Sequence, residues 1–178
     1  MIIRNPIDRL ISGFMQLCYF RIYLKKDQDY CYGCSKNLTC FIYSLKSDLL
    51  NVVDKKIIPQ GFYNYHFYPQ TWQCDYYKYK YNYTYIKYSK SNKEIFYKTL
   101  INYLTMVHVP TKHINYLKNI LHSIVTPHTT ITKNETTFNK NYLYNSQDLL
   151  IKLCEMFYYD FIEFKFEMPD SCLQKEKT

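Results

Sequence analysis

The sequence predicts an α/β domain, and three features carry that reading. Residues 1–3 form an apolar stretch that runs into a helix-start signal, tyrosines alternate with lysines and polar residues from 76 to 88, and apolar residues elsewhere recur at three- and four-residue steps. At 178 residues the chain suits one domain with a sizeable core, and neither an internal repeat nor a linker divides it.

The opening MIIRNPIDRLISGFMQLCYF reads as the end of a buried strand, a sharp turn and a helix. Asn5 can cap, Pro6 sits where a missing N–H costs nothing, and Asp8 is placed for a capping-box-like pairing at the positive end of the helix dipole. Ile7, Leu10, Ile11, Phe14 and Cys18 define the buried stripe, which leaves Asn5, Arg9, Ser12 and Gln16 on another face. Residues 25–40 read as a polar loop ending in CYGCSKNLTC. A helix through Val53 follows, with Phe41, Ile42, Leu45, Leu49 and Val52 inward and Asp54, Lys55 and Lys56 closing the pattern.

Residues 59–74, PQGFYNYHFYPQTWQC, hold two prolines and a glycine among aromatics and predict an ordered loop. The period near two in residues 76–88 predicts a strand with Tyr83, Tyr85 and Ile86 near the core. Two helices follow: one over 93–107 burying Ile95, Phe96, Leu100, Leu104 and Val107, and one from Pro110 to Val125 burying Ile114, Leu117, Leu121 and Ile124. A threonine-rich loop, TPHTTITKNETT, leads to a last helix capped near Asn145 or Ser146, with Leu149, Leu150, Leu153, Phe157 and Phe161 inward. Residues 1–168 are thus the domain and 169–178 a charged tail expected to be mobile.

Lys+Arg 23 against Asp+Glu 15 gives a net charge of +8, which favours anionic partners without choosing among phosphate, sulfate, acidic glycan, nucleic acid or membrane surface. Seven cysteines with N-x-T sequons at Asn37, Asn82 and Asn134 point to a secretory-pathway lumen with disulfides, and argue against nucleic-acid binding in the nucleus or cytosol. The odd cysteine is either free or lacks a partner that the sequence does not hold. Cys31 and Cys34 have zinc-like spacing, but no second pair follows, so disulfides are preferred and no metal is expected. Cys74 and the loop cysteines are the natural suspects for pairing. No apolar run nears the roughly 20 residues of a membrane span, and the first residues lack a signal-peptide core; a lumenal protein therefore implies upstream sequence.

Chemistry concentrates at the start. Arg4, at the end of a strand, and Ser12, about two turns into the next helix, can hold a phosphate by guanidinium fork, helix N-terminus and hydroxyl; the bland alternative is an arginine that merely pairs or caps. IIRNPIDRLISGF resembles the 3′-phosphate motif R-x-P-x-x-R-x-x-S-x-[FY] of the carbohydrate sulfotransferases of the chondroitin and dermatan type. HFYPQTWQC (66–74) is similar to that family's H-W-x-P-x-x-x-x-C element, with Phe67 in the tryptophan place. LLIKLCEMFYYDFIEFKFEMP (149–169) resembles its C-terminal helix followed by Y-x-x-D-F-x-x-F-x-[YF], with Phe157 in the tyrosine place. The three stretches span nearly the whole chain in the family's order, which is more specific than any one of them.

The resemblance implies a partial P-loop-NTPase-like sulfotransferase fold, a short parallel sheet flanked by helices, with the first strand and its K-x-G-x-T phosphate loop missing. It implies the sulfate donor PAPS (3′-phosphoadenosine 5′-phosphosulfate), no metal, binding of the 3′-phosphate by Arg4 and Ser12, and a structural Arg9. His128, Thr129 and Thr130, with Lys133, occupy the place of a loop that folds over the cofactor phosphates in related enzymes; a glycosylated surface loop is the other reading. His66 is the candidate base, beside the readings that it is a structural histidine among aromatics or that the base lies upstream, as in related uronyl sulfotransferases. Trp72 and nearby tyrosines could stack on sugars or pack the core, and Lys25, Lys26, Lys55, Lys56 and the lysines between 78 and 90 could track a polyanionic glycan or simply be solvated. The implied partner is an acidic glycan or proteoglycan acceptor, plausibly GalNAc of chondroitin or dermatan, in the Golgi lumen, with membrane contact only through a missing N-terminal anchor. A non-catalytic lumenal glycan-binding protein is the alternative. Without the first phosphate loop the 178 residues are expected not to turn over.

Overall fold

The fold is known from a computed structural model, which describes residues 1–22, 29–59, 61–89, 92–123 and 133–173. Strand β1 (Ile2–Arg4) pairs in parallel with β2 (Ile86–Tyr88), in the register Ile2 to Ile86 and Arg4 to Tyr88. Helices surround this small sheet, so the α/β architecture with a short parallel sheet is the one expected. Ile3 is the buried residue of β1 and packs with Tyr76 and Phe164.

Helix α1 (Pro6–Phe14) starts where the sequence says, and its buried side is Ile7, Leu10, Ile11 and Phe14. Asn5 Oδ1 accepts from the backbone N–H of Ile7 at 3.0 Å and of Asp8 at 3.2 Å. The Asp8 carboxylate does not complete a capping box; it pairs with Lys140 at 2.6 Å, tying α1 to α7. One wide turn (Met15–Tyr19) continues α1 and carries Cys18 to its disulfide with Cys31.

Helix α2 (Leu38–Val53) buries Phe41, Ile42, Leu45 and Leu49. Phe41 is the hub of the main core: its ring lies 5.2 Å from that of Phe14 and 4.7 Å from that of Phe67. α1 approaches this cluster through Gly13, where a Cβ would come within 3.0 Å of the Phe67 ring. Phe67 is completely buried and cannot swing away. Overpacking of this kind costs about 1–3 kcal/mol, more than the about 1 kcal/mol that alanine gains over glycine inside a helix. Gly13→Ala is therefore expected to lower the urea midpoint, and an unchanged or raised midpoint would contradict the packing described.

Several elements differ from expectation. Residues 59–74 are not all loop: α3 (Gly61–His66) and a 3-10 turn (Gln70–Trp72) occupy most of them. The strand predicted over 76–88 is real only at β2, preceded by α4 (Tyr76–Tyr79) and a 3-10 turn (Lys80–Asn82). A tyrosine–lysine alternation contains too few aliphatic residues to fix a period, and here Tyr76 is buried while Tyr81 is almost wholly exposed. α5 (Lys93–Met106) buries Phe96 but exposes Ile95 and Val107, since α5 meets only β2 and α6 (Thr111–Ser123).

Helix α7 (Asn134–Asn145) takes up the end of the threonine-rich stretch and was not foreseen, because two of its three buried side chains, Thr136 and Asn139, are polar. The last helix breaks at Phe157 into α8 (Gln147–Met156) and α9 (Tyr158–Phe164), with Leu149, Leu150, Leu153, Phe157 and Phe161 all buried as expected. Beyond Pro169 the chain makes a further turn, α10 (Asp170–Leu173), and Cys172 is bonded to Cys154 of α8. Cys34 pairs with Cys40, so both cysteines of the zinc-like spacing are in disulfides with other partners. Cys74, suspected of pairing, is instead an exposed free thiol.

Candidate functional site

Arg4 is the last residue of β1, half-buried, where the parallel pairing ends. Its guanidinium carbon stands 5.6 Å from the centre of the Tyr88 ring, its register partner on β2. Among the described residues the guanidinium has no hydrogen-bond or ion-pair acceptor. Burial lowers its pKa, with Asp8 and Tyr88 opposing the shift, and at neutral pH it remains a cation in want of a counter-ion.

Ser12 is half-buried on α1, about two turns beyond Arg4, and its hydroxyl likewise has no partner among the described residues. Arg9 does have partners, as its structural assignment requires. It donates to the Tyr68 carbonyl at 2.7 Å and also to that of Tyr65, so α1 is fastened to residues 65–68. Burial pushes the Arg9 guanidinium down to about 10; the Asp160 carboxylate opposes this and the charge of Arg4 adds to it. The first turn of α1 offers less than its helix N-terminus suggests. Pro6 has no N–H, Asn5 takes those of Ile7 and Asp8, and Arg9 N–H donates to the Asn5 carbonyl at 2.9 Å. Anion contacts at this end must come from side chains, with the helix adding only its dipole.

Around Arg4 lies a buried polar assembly that the sequence reading did not single out. Gln70 Oε1 accepts from Arg4 N–H at 2.9 Å, and Gln70 Nε2 donates to the Arg4 carbonyl at 2.8 Å. Gln70 is anchored in turn by Asp160, which is completely buried. Asp160 Oδ2 accepts from Gln70 N–H at 2.7 Å and from Gln70 Nε2 at 3.4 Å, while Oδ1 accepts from the N–H and the hydroxyl of Thr71, both at 2.8 Å. The three stretches set apart by motif, at 2–14, 66–74 and 149–169, thus meet through Arg4, Gln70 and Asp160. The sequence signal was their presence inside those motifs; their polar character alone said nothing of a shared site.

His66 ends α3 and is half-buried. Its carbonyl lies 3.5 Å from where a Cβ of Gly13 would be, which puts its backbone against the residue next to Ser12. His128, Thr129 and Thr130 lie outside the described residues. Lys133, at the start of α7, stands 3.7 Å from the centre of the Phe20 ring. Of the lysines considered for a glycan path, Lys56 pairs with Asp54, Lys80 pairs with Glu163, and Lys78 lies over Tyr79. On the other side of the 70–72 turn is an open groove of about 420 Å³, lined by Leu50, Trp72, Tyr77, Met156 and Tyr159 among others.

What the arrangement can do chemically is hold an anion: an unpaired guanidinium and a hydroxyl follow one another across a strand-to-helix junction, on a clamped backbone. Comparison with known proteins agrees with this. Residues 1–167 match the family described as the sulfotransferase family. The uncharacterized protein C18B2.2 of Caenorhabditis elegans is 33% identical over 171 residues, covering 96% of this chain and 47% of that protein. The carbohydrate sulfotransferase chst-1 of the same organism is 26% identical over 170 residues, 94% of this chain and 52% of its own. The chain therefore spans about half the length of these curated relatives. No solved structure matches it significantly.

Proposed function

The chain belongs to the sulfotransferase family, and on that premise we propose that it is the cofactor-phosphate portion of a PAPS-dependent carbohydrate O-sulfotransferase of the Golgi lumen. The observation that carries this is the half-buried Arg4 guanidinium without a protein acceptor at the end of β1, with the free hydroxyl of Ser12 on the helix that follows. A guanidinium fork and a short neutral donor suit a terminal phosphate such as the 3′-phosphate of PAPS. In the parent reaction the sulfuryl group moves from PAPS to a glycan hydroxyl, leaving adenosine 3′,5′-bisphosphate, and a base takes the hydroxyl proton. His66, beside Gly13, is the base candidate in this chain, and His128, Thr129 and Thr130 are candidates to close over the phosphates.

The acceptor is proposed to be an acidic glycan, plausibly GalNAc of chondroitin or dermatan. The net charge of +8 supports it, as does the groove bearing Trp72, Tyr77 and Tyr159, where sugar faces can stack. The relative chst-1, named a carbohydrate sulfotransferase, agrees in class. Three disulfides and three exposed sequon asparagines, Asn37, Asn82 and Asn134, suit the lumen, and a full-length form would reach the membrane by an N-terminal anchor.

These 178 residues contain no K-x-G-x-T element to grip the 5′-phosphosulfate, so the chain alone is expected to bind the donor's 3′-phosphate end without turning it over. The same absence favours the second reading, a non-catalytic lumenal glycan-binding protein. Titration of the chain with adenosine 3′,5′-bisphosphate and with adenosine 5′-monophosphate tests the proposal. Tighter binding of the bisphosphate by about tenfold or more is expected, together with no sulfate transfer from PAPS to desulfated chondroitin. Equal affinities would remove the donor site and leave the glycan-binding reading; robust transfer would overturn the expected inactivity.

A further inference from the structure

We propose that Gln70 and Asp160 are positioning residues for the anion site, aiming Arg4 through its main chain. The proposal rests on the donor-phosphate reading of Arg4 given above. β2 fixes one edge of β1, and the Gln70 side-chain amide fixes the other at Arg4, its Oε1 and Nε2 exchanging hydrogen bonds at 2.9 and 2.8 Å with the Arg4 N–H and C=O. That reciprocal pair is what a neighbouring strand would supply. It sets the Arg4 backbone dihedrals, and with them the direction in which the guanidinium leaves the strand.

Gln70 can do this only if its amide is held one way round. Asp160 ensures it: Nε2 lies 3.4 Å from Asp160 Oδ2, so a flipped amide would turn its oxygen toward a buried carboxylate. Asp160 also holds the backbone N–H groups of Gln70 and Thr71, which fixes the turn that presents the amide. A core turn packed for stability alone needs no buried glutamine, and Gln70, only 6% exposed, carries the desolvation cost of its amide at the one residue whose cation lacks a protein partner. Gln70 and Asp160 touch no ligand in this scheme; they act through Arg4.

The test is the ratio of affinities for adenosine 3′,5′-bisphosphate and adenosine 5′-monophosphate, measured on the full chain for wild type, Gln70→Leu, Arg4→Ala and the double variant. Gln70→Leu is expected to reduce the ratio about tenfold, and to add nothing once Arg4 is already alanine. Gln70→Asn, which keeps the amide but falls a methylene short, is expected to lie between, and it serves as the readout if Gln70→Leu does not fold. A Gln70 variant that melts lower yet keeps the wild-type ratio, or whose loss adds fully to that of Arg4→Ala, shows a merely structural residue and overturns the proposal. A wild-type ratio near one defeats the donor-phosphate reading itself and the proposal with it.

Discussion

Asp160→Ala is expected to lower stability by about 3–5 kcal/mol, enough to shift thermal unfolding by roughly 10 °C in a chain of this size. The carboxylate is completely buried and accepts from two backbone N–H groups, a hydroxyl and a side-chain amide. Alanine leaves the N–H groups of Gln70 and Thr71 without an acceptor in a site closed to water, at about 1–3 kcal/mol for each group left unmade. Water could refill part of the space and soften the loss. Asp160→Asn keeps the shape and one acceptor oxygen but turns an NH₂ toward donors, so an intermediate loss is expected. Circular dichroism melts of the three proteins check the order, and an alanine variant melting within a degree of wild type would show that the network does not hold the 70–72 turn.

Arg4→Ala is expected to do the reverse, with a small effect on stability and a large one on binding. Its guanidinium accepts no protein partner, so the fold loses only the contact with the Tyr88 ring, worth less than about 1 kcal/mol at a half-exposed position. Affinity for adenosine 3′,5′-bisphosphate should fall by about 10- to 100-fold, the value of a charge-assisted pair, with little change for adenosine 5′-monophosphate. Arg4→Lys should recover only part of the loss, because an ammonium restores the charge and not the paired donors. An Arg4→Ala protein that binds both nucleotides like wild type would separate Arg4 from the phosphate altogether.

These two residues show what the sequence made legible and what it hid. Arg4 and Ser12 belong to one strand-turn-helix unit, and Asn5 and Pro6 announce its junction, so local rules were enough to find it. Asp160 acts on residues about half the chain away, with 90 positions separating it from Gln70, and no local pattern records such a contact. The same distinction runs through the fold. α1, α2 and α8 carry aliphatic stripes and were readable, whereas α7 buries Thr136 and Asn139 and gave no periodic signal. Between 76 and 88, alternating tyrosines suggested a long strand, but tyrosine can stand half-buried in a turn as well, and only Ile86 is an aliphatic residue that commits its neighbours to β2. Cysteine spacing favoured disulfides over zinc without giving the pairing: Cys18 reaches Cys31 and Cys154 reaches Cys172 through geometry that only the folded chain defines.

The central claim is that Arg4 and Ser12 grip one phosphate between them. A crystal structure of the chain soaked with adenosine 3′,5′-bisphosphate tests it most directly. The account predicts the 3′-phosphate within hydrogen-bond reach of both the Arg4 guanidinium and the Ser12 hydroxyl, with the Gln70 amide still paired to the Arg4 backbone. A nucleotide bound elsewhere, or side chains of Arg4 and Ser12 facing separate spaces with no phosphate between them, would contradict it.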